Sequence, residues 1–255
     1  MRVAVAGGTG LVGALTAEAL RAAGHETVVL ARSTGVDLTR PGAALAATLT
    51  ERLAGVDAVV DALNVVTMKG AESEAFFGRT TEALLAAEQA AGVGHHVVLS
   101  IVGIDRVPYD YYAGKLRQEA LVTAGPVPWT VLRATQFHEF AGQMTQRMAL
   151  GPVGLAPRMP VRPVAAAEVA EVLARLAVGE PRRTVLELAG PAREDLAAMA
   201  RRTARTPARR GDGPRFVVPV PVPGAFGKGV RAGALVPAAP DLVGTQTFAE
   251  WLGGR

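Results

Sequence analysis

Tyr111 and Lys115 are the residues whose types and spacing most directly suggest chemistry. They stand four positions apart, so on a helix they share one face. A lysine ammonium lowers the pKa of a nearby phenol from about 10 toward neutrality, and such a phenol can protonate a carbonyl oxygen while hydride reaches the carbon. Lys115 is one of three lysines beside 24 arginines, and arginine suits this role poorly. Such pairs also arise by chance, and Tyr109 and Tyr112 compete as proton donors.

A glycine-rich turn follows the first strand-like run of the chain. Its glycines fit both G-x-G-x-x-G and G-x-x-G-x-x-G. One glycine permits the tight turn, one lets backbone approach a pyrophosphate, and the last lets a helix pack on the sheet. The N–H groups at the helix N-terminus would then bind the phosphates. A purely structural turn is the alternative. The residues expected to form this dinucleotide site are Gly7, Gly8, Thr9, Gly10, Leu11, Val12 and Gly13.

The end of the second strand-like run, ETVVL, indicates which dinucleotide is bound. A site that prefers NAD places Asp or Glu there to bind the ribose 2′-hydroxyl. Here Ala31, Arg32 and Ser33 follow, and Arg32 and Ser33 can hold a 2′-phosphate by charge-assisted hydrogen bonds. We therefore predict NADP(H) as the cofactor, with Lys115 and Tyr111 facing its nicotinamide ribose. The alternative is that Arg32 is an ordinary exposed arginine and the site accepts either dinucleotide.

The histidines give weaker signals. None of the four has the spacing with a carboxylate that is typical of a metal site, so no metal is expected. His95 and His96 are expected to be exposed where they lead into a strand. His138 and Glu139 follow the next strand, on the side where ligands bind in such sheets. They either line a substrate pocket or are ordinary loop or helix-cap residues.

Composition narrows the class of protein. With 255 residues, 49% of them hydrophobic, the chain can bury a sizeable core. The absence of cysteine excludes disulfide frameworks and thiolate chemistry. No signal-like segment opens the chain and no apolar run reaches membrane length, so a cytoplasmic protein without membrane contact is expected. The net charge is +4, and an arginine cluster at 201–215 indicates either solvated surface or a phosphate-bearing partner.

The elements that must position these residues alternate between strand and helix. Short apolar runs at 3–6, 27–30, 58–63, 97–100 and 130–133 predict parallel strands covered on both faces. Segments 11–23, 43–53, 72–91 and 111–124 carry leucine and alanine at helical spacing. The predicted fold is therefore an α/β doubly wound parallel sheet, a Rossmann fold. Residues 1–135 would form the NADP-binding core and 136–255 a smaller substrate-side region packed on it. The alternative is a single domain, in which the last strands rejoin the sheet. The proline-rich tract 217–224 predicts an edge strand or an extended surface segment.

These motifs together resemble the short-chain dehydrogenase/reductase superfamily, and most closely its atypical NmrA-like branch of NAD(P)H-binding proteins. The similar segments are GGTGLVG, VVLARS, GVDLT, YYAGKLRQE, PVPWTVLRATQFHEF and the closing TFAEWLG. The resemblance implies that Asp37 and Leu38 flank the adenine, that Asn64 lies beside the cofactor riboses, and that Ser100 lies near the nicotinamide.

Two residues depart from the better-known branch of that superfamily. There a serine about a dozen residues before the tyrosine helps hold the substrate carbonyl, whereas Ser100 lies eleven before Tyr111 and ends a strand. Gly114 stands inside a predicted helix, where glycine costs about 1 kcal/mol relative to alanine. It either admits a close approach of backbone or ligand or is simply tolerated.

The favoured function is an NADPH-dependent oxidoreductase that transfers hydride to a small carbonyl, quinone or enone. Tyr111 would supply the proton, Lys115 would orient the ribose and tune the phenol, and Ser100 is a third catalytic candidate. The alternative is a non-catalytic NADP(H)-binding redox sensor that regulates a partner. Epimerase chemistry on a nucleotide sugar is disfavoured because the region after residue 135 is small. Nucleic-acid binding is disfavoured because no helix-turn-helix or continuous basic helix is apparent.

Overall fold

Strands and helices alternate through the first half of the chain, as the sequence predicts. The structure is a computed structural model that describes residues 1–254. Its strands are β1 (Arg2–Ala6), β2 (Glu26–Leu30), β3 (Ala58–Asp61), β4 (His95–Ile101), β5 (Trp129–Ala134), β6 (Ala149–Leu150), β7 (Val153–Pro157), β8 (Pro160–Val161), β9 (Val185–Ala189), β10 (Glu194–Asp195), β11 (Phe216–Val220) and β12 (Leu242–Val243).

The helices include the four segments that the sequence predicts to be helical, together with others in the second half of the chain. They are α1 (Leu11–Ala22), α2 (Ala43–Leu53), α3 (Gly70–Ala91), α4 (Asp110–Ala124), α5 (Phe140–Arg147), α6 (Ala166–Ala177), α7 (Leu196–Arg205), α8 (Pro207–Arg210), α9 (Gly224–Arg231) and α10 (Phe248–Leu252). Among the helices of residues 1–254, none has the length and apolar character that crossing a membrane requires.

The main sheet confirms the predicted α/β doubly wound architecture. Within residues 1–254 it has seven strands in the order β12-β9-β5-β4-β3-β1-β2. The pairings of β1 with β2 and β3, of β3 with β4, and of β9 with β12 are parallel. The direction in which successive strands are added to the sheet reverses at β1, because β2 lies on one side of β1 and β3 on the other. At such a switch point the carboxyl ends of the strands leave a crevice for a ligand.

Beneath this crevice, α2 and α3 pack on one face of the sheet. Ala4 and Ala6 of β1 belong to a buried cluster that includes Leu45 and Leu49 of α2 and Leu84 of α3. Side chains alternate along a strand, so Val3 and Val5 point to the opposite face and are also buried. The apolar runs thus lack alternation because both of their faces are covered.

His95 and His96 correct one expectation, since they are 3% and 0% exposed rather than solvated. Both lie within β4, inside the main sheet, instead of leading into it. His96 Nδ1 is 2.9 Å from Glu88 Oε1 of α3, and His95 Nε2 is 2.9 Å from the Thr130 hydroxyl. Burial lowers the pKa of His95 to about 4. Each imidazole is accommodated because a polar partner is buried with it.

The chain forms two compact units, each made of several segments. The first comprises Met1–Ser100, Tyr109–Arg133 and Ala167–Leu186; the second comprises Ile101–Pro108, Ala134–Ala166 and residues 187–254. The single boundary at residue 135 stays a prediction. In the second unit a small sheet has the order β11-β7-β6. The proline-rich tract forms its edge strand β11, which confirms the expectation from the sequence.

Candidate functional site

The loop between β1 and α1 forms a backbone cradle that glycine alone can build. Gly7 has φ +74°, and a Cβ there would lie 2.9 Å from the Ala62 carbonyl oxygen. A Cβ on Gly13 would overlap the Gly7 carbonyl oxygen. The Gly10 N–H donates to the Gly7 carbonyl at 2.9 Å, which closes the turn. The close packing required of these glycines therefore fits the predicted phosphate-binding turn.

The start of α1 is open for an anion. Gly10 caps this helix without a side chain, and Thr9 and Gly10 are exposed. Leu11 is 42% exposed, whereas Val12 is buried on the sheet side. The first-turn N–H groups of a helix have no intrahelical acceptor, and the helix dipole favours negative charge there. The residues present therefore fit the phosphates of a dinucleotide.

The segment after β2 has the polarity expected for a 2′-phosphate. Arg32–Thr34 form one 3₁₀ turn, in which Arg32 and Ser33 are exposed. Thr34 closes the turn, with its hydroxyl donating to the Val29 and Ala31 carbonyls at 2.9 Å. This holds the backbone of Arg32 and Ser33 while their side chains stay free to contact a ligand. Their role in cofactor binding stays a prediction.

Asp37 and Leu38, which the resemblance assigns to the adenine, lie in different environments. The Asp37 carboxylate accepts from the Thr39 N–H at 3.1 Å and from the Thr39 hydroxyl at 2.6 Å. Those hydrogen bonds hold the pKa of Asp37 below its usual value. Leu38 is 4% exposed and packs in the cluster of α2 and α3. The adenine assignment of both residues stays a prediction.

Tyr111 reaches across to the loop that follows β3. Its hydroxyl donates to Asn64 Oδ1 at 2.7 Å, and its ring meets the Phe77 ring edge-on at 5.9 Å. Asn64 and Tyr111 were each predicted to lie beside the cofactor, and the structure brings them together. The hydrogen bond between them could not be foreseen, because 47 residues separate the two positions.

The three tyrosines have distinct surroundings. Tyr112 is 7% exposed, and burial raises the pKa of its phenol. The Tyr109 hydroxyl lies 3.1 Å from Met68 Sδ. The Tyr111 hydroxyl donates to Asn64, at the carboxyl end of the sheet where ligands bind in such folds. Among the competing tyrosines, the geometry favours Tyr111 as the proton donor.

Lys115 is buried, and its ammonium has defined partners. Its Nζ donates to the Leu99 carbonyl at 2.7 Å and to Gln118 Oε1 at 2.6 Å. It also lies 4.5 Å from the centre of the Phe77 ring, a cation–π contact. Burial lowers the pKa of Lys115 to about 8, although nearby carboxylates act in the opposite direction. The ammonium form therefore dominates at neutral pH.

Three further residues of this site were not identified from the sequence. Phe77 of α3 lies beneath the Lys115 ammonium. Gln118 donates from Nε2 to Asp61 Oδ2 at 2.7 Å, and Asp61 ends β3. One signal was available: Asp61 interrupts an otherwise apolar run that the pattern places in a buried strand.

The packing of α4 against α3 explains why glycine stands at position 114 inside a helix. A Cβ there would overlap Ser73 of α3. The Ser73 hydroxyl donates to the Tyr111 carbonyl at 2.8 Å. Helices α3 and α4 therefore approach closely at this level, which fixes the backbone of the turn that carries both Tyr111 and Lys115. A close backbone approach is the reason for Gly114.

Ser100 follows the residue whose carbonyl holds Lys115. It is 2% exposed, and its hydroxyl has no hydrogen-bond partner among residues 1–254. A buried hydroxyl without a partner is unfavourable unless something else satisfies it. The predicted catalytic role of Ser100 stays a prediction.

His138 and Glu139 lie in the second unit. His138 is fully buried, with its ring 5.6 Å from that of Phe248 and 5.7 Å from that of Trp251. Glu139 precedes α5, and burial raises the pKa of its carboxyl. His138 is thus part of an aromatic core. Of the two roles that the sequence left open for it, pocket lining does not fit.

The arginine cluster of the second unit is partly engaged within the chain. Arg202 pairs with Glu194 at 3.0 Å and lies over the Phe248 ring at 4.7 Å. Arg209 lies over the Trp251 ring at 4.2 Å. These contacts give both arginines a structural role, and a phosphate-bearing partner for the cluster stays a prediction.

Comparisons with known proteins agree with this geometry. A family model described as NAD(P)H-binding matches residues 7–178. A search of curated proteins finds no match. An NADPH-dependent quinone oxidoreductase from Escherichia coli, in complex with NADPH, is similar in structure with TM-score 0.70 and 18% identity over 99% of each chain.

Two other solved structures show the same fold. Triphenylmethane reductase from Citrobacter sp., complexed with NADP(H), has TM-score 0.69 and 16% identity, covering 99% of this chain and 98% of its own. A short-chain dehydrogenase/reductase superfamily protein from Agrobacterium tumefaciens with bound NAD has TM-score 0.68 and 18% identity, covering 100% and 95%. The glycine cradle and the family match over most of the chain thus lead to one conclusion: the protein belongs to the NAD(P)H-binding family, with the fold of short-chain dehydrogenases and reductases.

Proposed function

We propose that the protein is an NADPH-dependent oxidoreductase that reduces a small carbonyl, quinone or enone. The observation that carries this proposal is the arrangement of Tyr111 and Lys115 on α4. The Tyr111 hydroxyl is held by Asn64, and the Lys115 ammonium is held by Leu99 and Gln118. A phenol and an ammonium fixed on one helix face suit proton transfer beside a bound dinucleotide.

The choice of NADPH over NADH is supported by the segment after β2. No carboxylate follows that strand, and Arg32 and Ser33 are exposed there. A guanidinium can bind a 2′-phosphate with two parallel hydrogen bonds. The quinone and triphenylmethane reductases of similar fold were crystallised with NADPH or NADP(H). Their names also suggest the range of acceptors to test.

The bound dinucleotide would supply the hydride, and the chain's own residues would do the rest. The cradle of Gly7, Gly10 and Gly13 would hold the phosphates. Lys115 would donate to a ribose hydroxyl. Tyr111 would give its phenolic proton to the substrate oxygen and recover a proton from solvent, while Asn64 holds the phenol in position. Ser100 would help to hold the substrate carbonyl.

The experiment is a paired measurement on the purified protein. Calorimetric titration with NADPH and NADH measures binding, and loss of NADPH absorbance measures turnover against a panel of quinones, aldehydes and enones. We expect NADPH to bind more tightly than NADH and at least one acceptor class to be reduced. Absence of binding for both dinucleotides at millimolar concentration contradicts the proposal.

A second candidate function is an NADP(H)-binding sensor without turnover. One observation favours it: the Tyr111 hydroxyl already donates to Asn64, so its proton is directed away from a substrate. A sensor requires that the oxidised and reduced dinucleotides bind with different affinity. A large difference between NADP⁺ and NADPH, without turnover on any acceptor, would select this function over catalysis.

A further inference from the structure

A line of buried polar side chains joins the end of β3 to Lys115. The Leu63 N–H donates to Asp61 Oδ1 at 3.0 Å, and Gln118 Nε2 donates to Asp61 Oδ2 at 2.7 Å. Gln118 Oε1 then accepts from Lys115 Nζ at 2.6 Å. Asp61 and Gln118 are both fully buried, and Lys115 is 4% exposed. Such an arrangement in a protein interior is costly unless every member is satisfied.

We propose that Gln118 and Asp61 are positioning residues, which hold the Lys115 ammonium in the direction that binds the cofactor ribose. This inference rests on the proposed role of Lys115 in the oxidoreductase. Neither residue would touch the substrate or the dinucleotide. Each would act through Lys115 alone.

The orientation of the Gln118 amide follows from its two neighbours. A carboxylate only accepts hydrogen bonds, so the amide nitrogen must face Asp61. An ammonium only donates, so the amide oxygen must face Lys115. Asp61 therefore determines which end of the amide Lys115 meets. Replacing Gln118 with an apolar side chain of similar length would remove one of two acceptors from a buried ammonium.

The lysine ammonium has three N–H bonds, and their directions decide to which group it can donate. Two of them point at the Leu99 carbonyl and at Gln118 Oε1. Fixing two of the three directions fixes the third, which would be the one offered to a ribose hydroxyl. The Phe77 ring supports the ammonium from α3. Without Gln118, the flexible lysine chain would hold only one fixed hydrogen bond.

Two carboxylates act on the charge of Lys115. Asp61 lies on β3 and Glu119 on α4, and both act to raise the Lys115 pKa against the effect of burial. Glu119 is itself paired with Arg133 of β5 at 2.7 Å.

The Asp61 charge also acts on His96 of β4. Glu88 of α3 and His96 of β4 form a buried pair with each other. Tyr111 stands one turn earlier on α4, and its hydroxyl is engaged by Asn64. Gln118 hydrogen-bonds to both Lys115 and Asp61 and so joins the two.

The test is a pH titration of Lys115 in the protein without cofactor. With only Lys69, Lys115 and Lys228 in the chain, nitrogen-15 lysine labelling resolves each ammonium by NMR, with Lys115→Arg assigning the signal. We expect Gln118→Met to lower the titration midpoint of Lys115 by about one pH unit, because an acceptor for the charged form is lost. Gln118→Glu should raise it. Gln89→Met, at an exposed position of α3, is the matched control and should leave it unchanged.

Cofactor affinity gives the second measurement. Calorimetry with NADPH across the same pH range should show that binding weakens as Lys115 loses its proton. In Gln118→Met this weakening should begin at lower pH than in the wild type. Asp61→Asn removes the charge and leaves one acceptor oxygen where the carboxylate offers separate oxygens to Leu63 and Gln118. The Lys115 midpoint should therefore also fall. Asp61→Asn serves as a second variant if Gln118→Met does not fold. An unchanged Lys115 midpoint in both folded variants overturns the inference. If the wild type binds no NADPH, the proposed function fails, while the NMR titration still decides the positioning.

Discussion

The Tyr111 hydroxyl and the Asn64 side-chain oxygen are 2.7 Å apart, and this hydrogen bond ties α4 to the loop after β3. Asn64 is exposed, so the bond lies where a ligand can reach it. On the proposed function, a substrate oxygen that entered this position would compete with Asn64 for the phenolic proton. The bond would then keep the phenol in place until an acceptor arrived.

Removal of the Tyr111 hydroxyl tests its role as the acid. We expect Tyr111→Phe to lower turnover on any accepted substrate by roughly 10²–10⁴-fold. Binding of NADPH should stay close to that of the wild type, because the ring and its contact with Phe77 are kept. The control is Tyr109→Phe, which removes a hydroxyl that lies 3.1 Å from Met68 Sδ. Full turnover in Tyr111→Phe would show that another group donates the proton.

Replacement of Arg32 tests the preference for the phosphorylated dinucleotide. A hydrogen bond to a charged group contributes about 1.5–3 kcal/mol, so Arg32→Ala should weaken NADPH binding by about 10-fold to 100-fold. Binding of NADH should change little. The control is Arg79→Ala, which removes the same charge from an exposed position of α3. Equal losses for NADPH and NADH would mean that Arg32 does not recognise the 2′-phosphate.

Two helix glycines should respond in opposite directions to the same substitution. A Cβ on Gly114 would overlap Ser73, so Gly114→Ala should destabilise the fold by about 1–3 kcal/mol. A Cβ on Gly78 would meet only the Arg117 side chain at 3.8 Å, so Gly78→Ala should stabilise α3 by about 1 kcal/mol. Urea unfolding of both variants measures the difference. Equal effects would contradict the close approach of α3 and α4.

The buried pair of His96 and Glu88 predicts a pH-dependent stability. Burial by itself lowers the pKa of His96, but the Glu88 carboxylate outweighs it, so the pKa is raised overall. The stabilisation is therefore complete below the unfolded pKa of about 6.5 and is lost as pH rises through the folded pKa.

Glu88→Gln measures this contribution. We expect it to cost up to about 3–5 kcal/mol at low pH, and the difference from the wild type to shrink as pH rises. Lys115 contributes equally to both proteins, so its own titration cancels. Urea unfolding across the pH range provides the measurement. A difference that does not depend on pH would show that His96 is neutral in the fold.

The sequence predicted the elements well because their signals are local. Helical spacing of leucine and alanine located α1 to α4, and the glycine turn located the phosphate cradle. The expected strand at 58–63 ends at Asp61 in the structure. There the Asp61 carboxylate accepts the Leu63 N–H, which turns the chain out of the strand.

Most polar contacts of the site could not be predicted from the sequence. Gln118 and Asp61 are separated by 57 positions, and nothing local pairs them. His96 was expected at the surface because it was placed where the chain leads into a strand. The sequence gives no sign of its partner, yet Glu88 is only eight positions earlier. The position of Glu88 on the buried face of α3 becomes evident only once the helix is packed on β4. Long-range pairing of polar groups requires the assembled sheet.

The carboxyl end of β3 touches two separate parts of the proposed dinucleotide site. Its Ala62 carbonyl limits Gly7 to having no side chain, and one residue earlier Asp61 anchors the amide that leads to Lys115. In the proposed site, a displacement of these two residues would therefore disturb the pyrophosphate contact and the ribose contact together. One short stretch of backbone would thus set the distance between the two contacts.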